Sequence, residues 1–304
     1  MRANGKLLLT GEYFVLDGAL ALAMPVRYGQ DMDVRPLPKP ELLQWQSLDE
    51  KGQVWFSSSW KWDGTEITPL NVSDEAIGER LEQLFRAVHQ QRPDGLKALW
   101  GNAVSTQADF PRDWGLGTSS TLVSLLSRYT NTDPYQLLED TFGGSGYDIA
   151  CASAQTPILY QRHGTKPMVK EASWMPSYTD HIFFAYLGQK QNSREGIRHY
   201  RELGGTQPTL IDQVTALTED FLAASDMATA QDVLRAHEDF IAEVLQMDKV
   251  QDVRFSDFPG VVKSLGAWGG DFVMLLGKWP AHQMRSYLKD KGCPIVFSFN
   301  ELAL

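Results

Sequence analysis

Three glycine-rich stretches and one early lysine are the residues of this chain whose types and spacing bear most directly on chemistry. Gly115-Leu116-Gly117-Thr118-Ser119-Ser120 stands immediately before an apolar helical pattern. Small residues there let backbone N–H groups approach whatever lies at the helix amino terminus, where aligned peptide dipoles favour negative charge, so the segment suits an anion such as a phosphate. Its spacing is not the Walker pattern, since no Lys follows the second glycine, and it is not the dinucleotide fingerprint. Taken alone, such a loop is more often a turn capped by Ser or Thr. In Gly143-Gly144-Ser145-Gly146-Tyr147-Asp148 a second turn carries a carboxylate on its shoulder, which is also ordinary turn chemistry. Lys6, after Gly5, opens the first strand, where a single lysine is usually solvated. The third cluster, Gly266-Ala267-Trp268-Gly269-Gly270-Asp271, precedes an apolar run and reads as a tight turn feeding a strand.

The elements that must position these residues follow from periodicity. Residues 6–9 and 13–16 are short β-type runs broken by Gly11, and Asp17-Gly18 is a hairpin-turn signal. Residues 36–68, rich in Trp, Ser, Lys and Asp, suggest irregular strands and exposed loops. Ile77, Leu81, Leu84, Phe85 and Val88 recur at helical spacing between Asp74 and Gln91, and Arg92-Pro93-Asp94-Gly95 supplies a stop and a turn. A helix near Ser119 buries Leu122, Val123, Leu125 and Leu126. Further on come a buried strand over 182–187, one helix carrying Leu210, Val214, Leu217 and Phe221, and another carrying Val233, Phe240, Val244 and Leu245. Two late strands over 271–276 and 294–299 flank a helix over 282–288. Strands and helices without strict alternation place the chain in the α+β class.

Composition narrows the function classes. With 304 residues, 43% hydrophobic and 22% charged, the chain is long enough for two modest domains with their own cores. Its 28 Lys and Arg against 38 Asp and Glu give a formal charge of −10, which argues against a nucleic-acid partner and requires a local basic pocket for any anionic substrate. Cys151 and Cys293 have no paired spacing and no Cys/His cluster around them, so a reducing compartment and no zinc are expected. The apolar stretch over 7–26 contains Glu12 and Asp17, which speaks against a signal peptide or a membrane span and makes the cytoplasm the default.

Together these residues resemble the GHMP kinase superfamily, in which three separated motifs recur in this order. Gly5-Lys6-Leu7-Leu8-Leu9-Thr10-Gly11-Glu12-Tyr13, continuing through Val15-Leu16-Asp17-Gly18, resembles the opening motif of mevalonate and phosphomevalonate kinases. Residues 115–120, with Pro111 upstream, resemble the phosphate-binding second motif, and 266–271 the glycine-rich third. Gly144-Ser145-Gly146-Tyr147-Asp148-Ile149-Ala150 resembles the segment that carries the catalytic Asp in the mevalonate branch, in a GYDIA-type subgroup. Three positions depart from the pattern. Trp268 stands where Gly is common, Thr118, Ser120 and Thr121 where Ser and Ala are usual, and Glu139 sits at shorter spacing than the metal-binding Glu of some relatives.

The resemblance implies an amino-terminal ribosomal-protein-S5-type domain over 1–170, a carboxy-terminal ferredoxin-like domain over 171–304, and ATP-dependent phosphoryl transfer to a mevalonate-type acceptor. Asp148 would orient the acceptor hydroxyl or act as its base, and Lys6 would stabilise the transferring group. Gly115, Leu116, Gly117, Thr118, Ser119 and Ser120 would line the triphosphate of ATP, while Ser119 and Glu139 would hold Mg²⁺. Glu12, Tyr13, Ser145, Gly146, Ser193, Gly269 and Gly270 would shape the acceptor side, with Ser193 in Lys190-Gln191-Asn192-Ser193 equally suited to a helix cap. Small molecules are the expected partners, without nucleic acid or membrane, and the molecule would be a monomer or a homodimer. A diphosphomevalonate decarboxylase and a non-catalytic nucleotide-binding relative stay open as alternatives.

Overall fold

Period-two alternation of apolar and polar side chains is what builds the first sheet. The computed structural model describes residues 1–189, 193–204, 207–268 and 271–304, with the backbone alone at 193 and 194. The chain divides into two units, one of residues 1–5, 28–112 and 116–153, the other of residues 6–27, 113–115 and 154–304. Strands β1 (Arg2–Leu8) and β2 (Ala21–Pro36) contribute residues to both.

In the first unit β3 (Leu42–Leu48), β4 (Val54–Trp62), β5 (Ile67–Val72) and β6 (Asn102–Ala108) join the later part of β2 in the order β5-β4-β3-β6-β2. β3 and β6 run parallel and the other neighbours antiparallel, with Trp45 opposite Ser58 on one side and Val104 on the other. Leu43, Trp45, Phe56 and Trp60 are buried while Gln44, Gln46 and Ser57 face solvent, the pattern of a sheet covered on one side. The irregular strands expected over 36–68 are present as β3, β4 and the start of β5, with register shifts between Ser47 and Leu48 and between Ser59 and Trp60. The alternation there is carried by Leu43, Trp45, Phe56 and Trp60, whose polar neighbours take the solvent face.

Helix α1 (Glu75–Gln91) forms as its spacing predicts, and the Asp74 carboxylate caps it by accepting from the Ile77 N–H at 3.2 Å. Its stop is steric: Arg92 precedes Pro93 and is driven to an extended φ of −153°. The turn expected after it is instead the start of α2 (Pro93–Leu99), since proline in a first turn sacrifices no hydrogen bond. Helices α3 (Thr118–Thr130), α4 (Pro134–Glu139) and α5 (Tyr147–Cys151) complete the unit. Leu84, Phe85 and Val88 of α1 share a core with Trp45, Trp60, Leu125 and Leu126. The Phe85 ring meets Trp60 edge-on at 5.2 Å between centroids.

The second unit opens with a correction. Residues 13–16 are no strand: Phe14–Asp17 form a 3₁₀ turn, with Tyr13 at φ 59° and Gly18 at φ 93° on either side. Three consecutive apolar residues carry no period, and burial of Phe14, Val15 and Leu16 at one turn satisfies them as well as a strand would. β7 (Ile158–Gln161) pairs with residues 21–23 and with β8 (Met168–Glu171). Beyond them come β9 (Ile182–Tyr186), α6 (Ser193–Glu202), α7 (Pro208–Ala223), α8 (Met227–Leu245), α9 (Val250–Arg254), β10 (Val261–Leu265), β11 (Phe272–Leu276), α10 (Ala281–Asp290), β12 (Val296–Ser298) and α11 (Phe299–Leu302).

These four last strands form an antiparallel sheet ordered β10-β11-β9-β12. With helices between β9 and β10 and between β11 and β12, this is the ferredoxin-like arrangement the sequence led us to expect. No helix among the described residues is long and apolar enough to cross a membrane.

Candidate active site

In the second unit one residue from each of the first, second and third motifs comes together: Lys6, Gly115 and Asp271. Lys6 of β1 is half-buried, and its Nζ donates to the Gly115 carbonyl at 2.8 Å. Gly115 has φ +68°, and a Cβ built on it would lie 2.0 Å from Asp271 Oδ2, so glycine is required for the third-motif carboxylate to come this close. The loop is anchored next door. Trp114 is buried, its ring 6.3, 6.1 and 5.5 Å from those of Tyr186, Phe272 and Phe297. The Tyr186 hydroxyl donates to the Asp113 carbonyl at 3.2 Å, and burial, aided by Asp113, pushes that phenol up to about 12, keeping it a neutral donor. The result is an ammonium held on a backbone loop, able to steady an anionic group, with the Asp271 carboxylate against the same glycine.

The rest of the second motif and the predicted catalytic Asp lie in the first unit. Gly117, at φ +98°, precedes α3 and brings no side chain to cap it. The hydroxyls of this turn divide by direction. Ser120 Oγ donates to the Gly117 carbonyl at 2.9 Å, and Thr121 Oγ1 donates to Gln30 Oε1 at 2.7 Å, whereas Ser119 is exposed. Leu116 is buried and Thr118 half-buried. α5 follows Ser145 and Gly146 and packs against α3, as does α4, whose last residue is the exposed Glu139. Asp148 is half-buried and accepts from the Ile149 N–H at 3.0 Å. Burial, with the charge of Asp148 second, raises the Tyr135 phenol to about 12.

Glu12, Tyr13 and Trp268 occupy a different setting. Glu12 is fully buried, so its carboxylate faces protein on all sides. Tyr13 is buried too, stacks on Tyr200 with centroids 5.7 Å apart, and has its phenol raised by burial. The Trp268 indole does not project from its loop; it is buried in the cluster of Tyr13, Phe14, Leu16, Tyr200, Ile241 and Leu245. Ser193 opens α6, its side chain lying outside the described residues, as do Lys190, Gln191, Asn192, Gly269 and Gly270.

Sequence reasoning missed Trp114 and Asp271 as parts of this site. A signal for Asp271 was present, because it closes the third glycine cluster, but no local pattern ties it to Gly115. Among the described residues no group of three or more His, Cys, Asp or Glu side chains is arranged to hold a metal ion. Ser119 and Glu139 offer oxygen donors on two helices that pack together, a set suited to an ion that keeps most of its ligands from water and phosphate, as Mg²⁺ does.

No family model matches this sequence, and no curated protein matches it. Solved structures do. The fold is similar to that of an L. major mevalonate kinase in complex with R-mevalonate, at 18% identity over 97% of this chain and 93% of that one, TM-score 0.66. It is similar to a Streptococcus pneumoniae phosphomevalonate kinase in complex with phosphomevalonate and AMPPNP, at 14% identity over 98% of each chain, TM-score 0.70. It is also similar to a Lactococcus lactis galactokinase complexed with galactose, at 13% identity over 99% of this chain and 92% of that one, TM-score 0.68. The two-sheet α+β architecture is thus the GHMP kinase fold.

Proposed function

We propose that this chain is an ATP-dependent small-molecule kinase that transfers the γ-phosphoryl group of ATP to a hydroxyl or phosphate of a mevalonate-type isoprenoid precursor. The observation that carries this reading is the bond from Lys6 Nζ to the Gly115 carbonyl, with Asp271 against the same glycine, in a chain that shares its fold with several kinases from end to end. Phosphoryl transfer asks a protein mainly to position two anions and neutralise the charge that develops between them. The uncapped turn at Thr118, Ser119 and Ser120 presents N–H groups to the phosphates, and Lys6 stabilises the group in transit. Asp148 takes the proton as an acceptor hydroxyl attacks, the new O–P bond forming as the bond to the β-phosphate oxygen breaks and ADP leaves. Ser119 and Glu139 would hold Mg²⁺, whose charge offsets that of the triphosphate when bound.

The domain division at 170/171, a GYDIA-type subgroup and a cytoplasmic setting belong to the same reading. The acceptor class rests on the wording of the first motif and on the mevalonate and phosphomevalonate kinases among the similar structures. A non-catalytic relative loses its main support, because the bulk of Trp268 is buried in the apolar cluster. The test is ADP release by the purified protein with Mg-ATP and mevalonate, phosphomevalonate, diphosphomevalonate, homoserine or galactose. Turnover with one of the first two is expected. Turnover with a sugar or homoserine alone would overturn the acceptor class, carbon dioxide release from diphosphomevalonate would make the protein a decarboxylase, and silence with every acceptor would end the kinase reading.

A further inference from the structure

A second polar cluster in the same unit contains groups that the phosphoryl-transfer scheme does not use. Lys263, at the centre of β10, is fully buried, and its Nζ donates to Glu12 Oε1 at 2.5 Å, Glu238 Oε1 at 3.3 Å and the Ser264 carbonyl at 3.0 Å. Glu238, on α8, accepts in turn from the Trp268 indole Nε1 at 3.2 Å. The backbone N–H of Trp268 donates to the Tyr13 hydroxyl at 3.2 Å. Neighbouring His237 accepts from the Gly11 N–H at 3.2 Å and stands 3.5 Å from Glu12 Oε2. Residues 11–13 are thus gripped from α8, from β10 and from the loop of the third motif.

Stability alone does not account for this arrangement. Buried ion pairs are often matched or surpassed by apolar side chains of similar volume, whereas directed bonds from a charge fix one geometry. What they fix here is unusual. Tyr13 has φ 59° and ψ −47°, a positive-φ backbone that side-chain-bearing residues avoid, and α6 presses on it so closely that a Cβ on Gly196 would lie 2.4 Å from its hydroxyl. A strained turn persists only where its surroundings over-determine it.

We propose that Glu238, Lys263 and Trp268 are positioning residues that hold the Glu12–Tyr13 turn of the first motif in its positive-φ conformation, Lys263 through the Glu12 carboxylate and Trp268 through the Tyr13 hydroxyl. The inference rests on the kinase reading insofar as that turn serves the acceptor. It assigns the tryptophan that replaces glycine in the third motif a structural counterpart, the Trp268–Glu238 bond.

Hydrogen exchange of the full chain tests it without any substrate, and acceptor kinetics test its consequence. In Trp268→Gly and Tyr13→Phe, amides of residues 11–18 should exchange about tenfold faster while distant amides of the four-stranded sheet keep their protection. The acceptor KM should rise about tenfold with kcat changed much less. Should Trp268→Gly fail to fold, Trp268→Phe, which keeps a ring and deletes the indole N–H, gives the same comparison. Unaltered exchange over 11–18 in folded variants would overturn the proposal even if the enzyme proves to be a kinase. Faster exchange with KM and kcat both unchanged would overturn it as well, leaving the network a purely structural one. If wild-type protein turns over no acceptor, the kinase reading falls and the exchange experiment alone decides whether the network holds the turn.

Discussion

The first and third motifs each supply residues to two polar clusters of opposite character. Lys6 and Asp271 meet at Gly115 in a half-buried setting made largely of loops, where a lysine and a carboxylate can answer a ligand. Glu12 and Lys263 meet in a sealed one, with Glu238 and His237, where every group is at least 98% removed from solvent. The difference teaches that a motif is not uniformly functional. Within a few residues the same segment leaves one side chain half-buried at a loop and takes another into the core, and burial decides what each charge can do. In the sealed cluster two carboxylates share one ammonium. Burial, partly offset by Lys263, raises Glu12 to about 7, and it raises Glu238 in the same sense.

The largest effect that would sharpen this contrast is on stability. Lys263→Ala should destabilise the fold by about 3–5 kcal/mol, because it strands two buried carboxylates. Chemical denaturation measures this, and a loss below about 1 kcal/mol would mean that the cluster is not held by its ammonium. Next comes Lys6→Ala, expected to lower turnover by about two orders of magnitude, or roughly 2.7 kcal/mol of transition-state stabilisation, with little change in the unfolding midpoint. A variant that kept its rate would remove Lys6 from the mechanism and erase the distinction between the clusters.

The smallest effect is on pH dependence. Glu12 has a folded pKa above its unfolded value, so its contribution is present below the unfolded pKa, about 4.5, and is lost as pH rises through about 7. Glu238 acts in the same sense. Burial, and then Lys263, depress His237 well below the ordinary 6.5, so its contribution is lost only as pH falls below that value. Between about pH 6.5 and 7.5 the opposing His237 effect fades as the unfolded imidazole loses its proton, and the Glu12 effect outweighs it. The thermal midpoint should therefore decline across that window in the wild type and decline less in Glu12→Gln. Equal slopes in the two proteins would show that Glu12 does not titrate there.

Legibility followed the range of the interactions. α1 could be placed between Asp74 and Gln91 because its apolar period, its cap and its proline stop all lie within a single stretch of chain. The four last strands of the ferredoxin-like sheet were partly visible as apolar runs. The buried network was not visible, since Glu12 and Lys263 are 251 positions apart. A signal did exist. Lys263 sits among the apolar Val261, Val262 and Leu265 of β10, and His237 and Glu238 fall on the same stripe of α8 as the buried Leu234, Ile241 and Leu245. Charged residues at core positions of a helix and a strand mark partners that must exist somewhere else in the fold.

The sequence by itself determined the local devices: glycines where backbone must turn or approach closely, a helix whose start follows a glycine, an acidic residue on the shoulder of a turn, and apolar periods that set helix against strand. Only the tertiary structure decided which charges those devices would expose. Lys6 and Lys263 are the same residue type, each in a strand and each near a glycine motif, yet one bonds a loop carbonyl at a half-buried position and the other is closed off between two carboxylates. Solvation is set by what the rest of the chain packs around a residue, and that is a long-range property no local pattern contains.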